Sequence, residues 1–185
     1  MRDIARAAGL SLGAAYYYFD SKEALVFAYY EANQAEIEVI AASATGTVRE
    51  RLGALFHGKL ATIRPQRRML AAIVQRLANP SDPVSAFSAQ TGAVRERAMA
   101  MLDQAVAAAD LPADVRPLVT RALWLLQLAL MLVYVNDESP DEARTHGLTD
   151  DALDLIVPML PLLATPMGHA IAARLMDSLA RAGLG

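Results

Sequence analysis

Four groups of residues in this chain have types and spacings that could do chemistry. Gly9-Leu10-Ser11-Leu12-Gly13 spells G-x-S-x-G, which in hydrolases exposes a strained serine between a strand and a helix. The candidate bases are His57, His146 and His169, and nothing in their spacing aims one of them at Ser11. The three stand isolated in the sequence, with no H-x-x-x-H or H-E-x-x-H pair for zinc. Asp150-Asp151 offers two carboxylates, but at an expected helix start, where the dipole favours acids without any catalysis. The fourth group is Tyr16-Tyr17-Tyr18, behind the small residues Gly13 and Ala14. Phenolic hydroxyls donate well to phosphates, and small residues let a helix end approach base edges and thymine methyl groups. That is the chemistry of DNA contact. No catalytic residue, metal site or cofactor is expected.

The elements that would position these groups are helices. Alanine fills 37 of the 185 positions, and no stretch shows sustained period-2 alternation. Helices are expected at 2–8, 12–19, 22–42, 47–63, 66–78, 84–109, 114–135, 150–163 and 167–182, with Asp20 or Ser21 capping the third. Breaks fall at Gly9-Leu10-Ser11, Ser43 to Gly46, Pro65, Asn79-Pro80, Asp82-Pro83, Leu111-Pro112, Pro140 and Thr165-Pro166. Pro158 and Pro161 predict a kink or two short pieces. The first two segments read as a helix-turn-helix. Ile4, Ala8, Leu10, Ala15 and Tyr18 are spaced to turn apolar edges together, Ala5 is small at the crossing, Gly9 supplies a positive φ, and Ser11 caps the second helix.

The string DIARAAGLSLGAAYYYFDSKEALV (3–26) resembles the DNA-binding signature of tetracycline-repressor (TetR) family transcription regulators. The likeness lies in the Ala-Gly turn, the Gly-x-x-Tyr-Tyr-x-Phe helix and the Ser-Lys-Glu opening of the next helix; beyond about residue 45 it is architectural only. The resemblance implies that Ser11, Leu12, Gly13, Ala14 and Tyr18 meet the major groove, and that Tyr16, Tyr17 and Lys22 hold phosphates. Ala15 and Phe19 would face the module's core. Leu12 and Ala14 carry no hydrogen-bonding side chain, so specificity should lean on apolar contacts and DNA shape. The family's module has a basic arm and a first helix ahead of the point where Met1 falls, so Met1 reads as an internal methionine of a longer frame or as a truncation point. Without that helix, Ile4, Ala8, Ala15 and Phe19 are expected to be partly uncovered.

The remainder, 43–185, reads as a ligand-binding and dimerisation bundle behind a DNA-binding module at 1–42 whose connecting helix begins at 22. The helix 114–135 is apolar on every side and needs apolar neighbours all round. The family resemblance implies that it and 150–163 form a four-helix bundle across a two-fold axis, matching a palindromic operator in double-stranded DNA. A small-molecule pocket is expected among Met69, Ile73, Phe87, Met101, Trp124, Gln127, Met131 and Tyr134, on stripes of 66–78, 84–109 and 114–135. A Met or aromatic stripe also suits plain core.

Charge sharpens this picture. The net charge of −3 excludes a generic polycation, so DNA contact must come from a local patch. Between 49 and 76, seven basic residues stand against Glu50 alone; between 137 and 154, seven acids stand against Arg144. Both read as solvated faces, or as a patch that attracts DNA and a mobile regulatory loop. The apolar run 122–135 is shorter than the ~20 residues of a membrane span, and no signal peptide opens the chain, so a cytoplasmic protein with no membrane partner is expected. The function that fits is an all-α, homodimeric, ligand-responsive transcription regulator, a repressor released from its operator by an apolar or amphipathic molecule. The alternative is a helical small-molecule-binding homodimer that has lost DNA binding through N-terminal truncation.

Overall fold

The computed structural model describes residues 1–77 and 79–181 of the chain. Positions 78 and 182, where two of the expected helices end, lie outside the described residues. Among the described residues there are nine α-helices and no strand: α1 (Arg2–Ala7), α2 (Leu12–Tyr18), α3 (Lys22–Ser43), α4 (Val48–Ile63), α5 (Arg67–Leu77), α6 (Gly92–Ala105), α7 (Arg116–Val135), α8 (Ala143–Met159) and α9 (Pro166–Arg181). Local chemistry sets most of these limits. Gly9 has φ +68°; Leu10 N donates to Ala5 O at 2.9 Å and Gly9 N to Arg6 O at 3.2 Å, the paired bonds of a Schellman stop. Ser11 Oγ accepts from Ala14 N at 3.1 Å and Ser21 Oγ from Ala24 N at 2.9 Å, capping α2 and α3. Thr47 and Glu50 form a reciprocal capping box at the start of α4.

Three expectations need correction. The helix expected at 84–109 begins only at Gly92, and 79–91 is a series of turns. Side chains there take the backbone groups a helix would use: Asp82 Oδ1 accepts from Val84 N, Ser85 Oγ accepts from Phe87 N and donates to Leu77 O, and Thr91 Oγ1 donates to Ser85 O. The helix expected at 150–163 starts at Ala143 instead. Asp137 folds back to accept from both the backbone and the hydroxyl of Thr145, at 2.8 and 2.7 Å, and so anchors that earlier start. Pro158 sits inside α8 without ending it, and the chain tightens into a 3-10 turn at Leu160–Ala164.

The third correction concerns charge. The basic and acidic stretches, still largely exposed, are not separate faces: three of the arginines close on the acids. Arg49 meets Asp154 at 2.6 Å and Asp150 at 2.8 Å, Arg64 meets Asp141 at 2.8 Å, and Arg67 meets the buried Glu142 at 3.1 Å. Arg67 also donates to the Asp137 carbonyl. These contacts hold Asp141 and Glu142 in left-handed backbone, φ 51° each, a conformation that costs a non-glycine residue about 1 kcal/mol or more. His57 and His146 join the same seam with Nδ1 atoms 2.8 Å apart, so two histidines isolated in sequence are neighbours in space. His57 Nε2 lies 3.0 Å from Asp150.

Helix α4 runs through the middle, packed on α3, α6, α7 and α8. Leu52, Leu55 and Phe56 from it join Ile37, Leu102, Leu118, Leu123 and Leu153 in the main core. The α3–α4 crossing is close at Gly58, where an added Cβ would stand 2.8 Å from Ile40 Cδ1. Helix α7 is 20 residues, longer than its apolar run suggested, and by length and composition alone could cross a membrane. Its inward side is nevertheless core: Leu118, Leu123, Trp124, Leu130 and Tyr134 are buried. It is not covered all round, because Leu132 and Val133 stay exposed.

Candidate nucleic-acid interface and effector cavity

Two places in this fold that can hold a partner adjoin α3. At its N-terminal side lies the α1–α2 hairpin. Ala5 and Ala15 are buried where the two helices cross, but Ile4, Leu10 and Tyr18 are exposed, so the inter-helix contact is narrower than their spacing implied. Ala15 is thus covered, contrary to expectation, while Ile4 and Ala8 are open and Phe19 is half-buried.

The outer face of α2 is available for contact. Leu12 and Gly13 are exposed, and a Cβ on Gly13 would meet nothing nearer than Ser11 Oγ at 4.0 Å. Ala14 is half-buried. Ser11 is exposed, but its Oγ is already engaged as the helix cap. Tyr16, Tyr17 and Tyr18 are 50%, 84% and 68% exposed, and the Tyr17 and Tyr18 rings meet edge to face at 5.3 Å. Lys22 is exposed in the first turn of α3. All eight residues therefore lie on one short stretch of chain, with the three hydroxyls and the ammonium accessible. The G-x-S-x-G serine has a helix on both sides and an occupied oxygen, so the strained elbow is not built.

Residues 1–29 match the family model described as bacterial regulatory proteins, tetR family. Over these residues the chain is similar to that family's DNA-binding module. The match covers α1, α2 and the first turns of α3, the elements that position the tyrosines and Lys22. The tetR family is one of DNA-binding transcription regulators, and the all-α fold accords with it. No curated protein matches the chain.

Further along α3, behind the tetR-family module, lies a cavity of about 90 Å³. Its walls come from five helices: α3 gives Tyr29, Tyr30, Asn33 and Gln34, α4 gives Lys59 and Ile63, α5 gives Leu70, α6 gives Arg95, and α7 gives Trp124, Gln127 and Met131. Of the residues expected to line a pocket, Trp124, Gln127 and Met131 are there. The others lie elsewhere. Ile73 is buried with Val26 and Val84, with Met69 packed on them. Phe87 sits on the turn segment and meets Trp124 edge to face at 5.5 Å. Met101 points towards Gln34, its sulfur 3.9 Å from Nε2. Tyr134 is core beneath the Arg67 guanidinium, 5.3 Å from the ring centre.

Sequence reasoning passed over the polar half of this cavity. Lys59 donates to Asn33 Oδ1, and Asn33 Nδ2 donates to Thr62 Oγ1 at 2.8 Å. Burial pushes the Lys59 ammonium down to about 8, with Glu36 pulling weakly the other way. Burial pushes the Tyr29 phenol up to about 12, and its hydroxyl has no partner. The Tyr30 hydroxyl, likewise pushed up by burial, donates to Val84 O at 2.9 Å. The signal available in the sequence was a row of polar side chains, Asn33 and Gln34, on a helix that otherwise packs apolar residues.

Two arginines tie α3 to the bundle. Arg76 of α5 holds Glu23, at the start of α3, at 3.0 Å and Asp82 of the turn segment at 2.7 Å. Arg97 of α6 holds Glu38 at 2.7 Å and Glu31 at 2.5 Å. Both guanidiniums hold their carboxylate partners Glu23, Asp82 and Glu38 below the usual range.

Proposed function

We propose that this protein is a ligand-responsive transcription regulator, a cytoplasmic repressor that binds a palindromic operator as a homodimer and leaves it when a small amphipathic molecule occupies the α3–α7 cavity. One observation carries the reading: the helix that follows the tetR-family hairpin also supplies Tyr29, Tyr30, Asn33 and Gln34 to the cavity wall. A ligand that widens the cavity must displace α3 against α5, α6 or α7. Arg76–Glu23 passes that movement to the end of α3 beside the hairpin. The ligand releases DNA only by binding the displaced conformation more tightly, because equal affinity for both would shift nothing.

In this reading 1–42 is the DNA-binding module with its connecting helix, and 43–185 is the effector and dimerisation domain. Ser11, Leu12, Gly13, Ala14 and Tyr18 face the major groove, and Tyr16, Tyr17 and Lys22 hold phosphates on its flanks.

The homodimer reading is supported by exposed apolar residues on the last three helices. Leu132 and Val133 of α7 and Leu148 and Leu155 of α8 are exposed, Leu155 at 69%. Met159 of α8 and Met167, Ile171 and Leu175 of α9 are exposed as well, and with Leu118 and Val119 of α7 they line an almost wholly apolar groove of about 850 Å³. Contiguous apolar surface of this kind marks an interaction site, and a second copy of the chain would cover it.

The test is fluorescence anisotropy on duplex DNA from the region upstream of the protein's own gene, at two salt concentrations. Phosphate-based binding weakens steeply as salt rises and falls on Tyr17→Ala. Salt-insensitive behaviour, with the folded chain still binding small molecules, would favour the second reading, a helical ligand-binding homodimer without DNA binding.

A further inference from the structure

The charged groups lining the cavity are all of one sign. Lys59 and Arg95 line it, and none of its lining residues is an aspartate or glutamate. Elsewhere in the fold Arg49, Arg64, Arg67, Arg76, Arg97 and Arg116 all meet carboxylates. The two cavity cations have only neutral acceptors among the described residues. Lys59 donates to Asn33 Oδ1, which leaves further N–H groups of its ammonium without a protein partner. Arg95 donates to the carbonyls of Ala86 and Ser88, at 2.8 and 3.2 Å.

The neighbours of Lys59 are arranged for a guest rather than for self-sufficiency. Asn33 is oriented by Thr62, whose hydroxyl in turn donates to the Lys59 carbonyl at 3.0 Å. The Tyr29 hydroxyl, on the same wall, is buried and unpartnered. Across the cavity Trp124, Leu128 and Met131 give an apolar surface. A cation sunk in such surroundings is unfavourable in the empty protein, and an anion placed beside it offsets that cost. The charge of opposite sign that acts on Lys59 is that of Glu36, exposed on α3.

Resting on the reading of this cavity as the effector site, we propose that the effector is a small organic acid, its carboxylate received by Lys59 and its hydrocarbon part laid against Trp124, Leu128 and Met131. Size bears on which acid. A cavity of about 90 Å³ has room for several waters, so the carboxylate end of an acid fits as the fold stands. The hydrocarbon part of a six-carbon or ring acid requires Met131 or Trp124 to move, and methionine re-packs readily. That displacement is the one the regulatory reading needs.

The experiment uses matched probes on the full 185-residue chain: hexanoate against hexanamide, and benzoate against benzamide. Calorimetry reads affinity, and Trp124, the chain's single tryptophan, reports occupancy by its fluorescence. The acids are expected to bind about tenfold or more tightly than their amides, the ratio that a charge-assisted hydrogen bond supplies. Lys59→Met and, as a second neutral variant, Lys59→Gln remove that preference and leave amide binding in place, while Arg144→Ala, on the surface, preserves it. Circular dichroism melts confirm that each variant folds. Amides binding as tightly as acids overturns the acid proposal, and a preference that survives both Lys59 variants overturns Lys59 as the group that receives the carboxylate and points to Arg95; either leaves the effector cavity standing. No binding by any probe, with Trp124 unresponsive in the folded wild type, overturns both.

Discussion

Tyr17 and Lys22 make different demands on a phosphate, and substitution separates them. A phenol donates one neutral hydrogen bond, so Tyr17→Phe should weaken operator binding by roughly 0.5–1.5 kcal/mol while the dependence of log K on log salt keeps its slope. Lys22 neutralises a charge, and Lys22→Gln should lower that slope by about one and weaken all DNA sequences alike, as measured by anisotropy across a salt series. Lys59 carries a different prediction. Its ammonium sits at about 8 in the fold against 10.5 for the free side chain, so the unfolded chain binds the proton more tightly. Its folded form therefore gains stability as pH rises from about 8 to 10.5 and carries the full penalty below 8. Lys59→Met should raise the stability of the empty protein at pH 7 by about 1–2 kcal/mol, net of the lost bond to Asn33, and the gap should close towards pH 10.5 in urea melts. Burial keeps the Tyr29 and Tyr30 phenols neutral over this range.

Helix α3 is the lever, and its fastenings decide what it transmits. Arg76→Ala frees Glu23 and Asp82 and so loosens the end of α3 nearest the hairpin. Its expected signature is uncoupling: a cavity probe binds with unchanged affinity, but its effect on operator affinity shrinks from the 1–3 kcal/mol typical of allosteric coupling. Paired titrations of probe and DNA measure this directly. Gly58→Ala acts on the same helix from the other side, pushing a methyl into Ile40, and should lose in that clash the roughly 1 kcal/mol that alanine gains over glycine inside a helix, so that a thermal melt shows no stabilisation. The helices that frame α3 are largely legible in the order of residues alone. Ser11 and Ser21 as caps, Gly9 as a stop and prolines as breaks act within a few residues, where sequence order is spatial order. The 79–91 segment is not legible in that way, because its serines, Thr91 and Asp82 compete with the helix through bonds that apolar periodicity does not register. Phe87 was misplaced for that reason.

At the scale of the molecule, the seam between α4 and α8 and the bare apolar side of α7, α8 and α9 are the two large features. Arg49 clasps Asp150 and Asp154 across the seam, and Arg49→Ala should lower stability by about 1 kcal/mol, less at high salt, in thermal melts. The apolar side predicts assembly. Leu155→Glu with Ile171→Glu should convert a dimer into a monomer in analytical ultracentrifugation and abolish the concentration dependence of the melting temperature.

The sequence by itself determined that this chain is helical, where most helices start and stop, and that its first 29 residues hold a tetR-family hairpin with three adjacent tyrosines on its outer face. Those properties come from caps, breakers and a dense local string. Only the tertiary structure decided that the basic stretch at 49–76 and the acidic one at 137–154 close on each other, that His57 lies against His146, and that Lys59, Asn33 and Tyr29 share a cavity with Trp124. Each of these joins residues from different helices. Periodicity tells which side of a helix is apolar, but not which other helix lies against it, and a half-buried lysine looks like any other until the walls around it are in place.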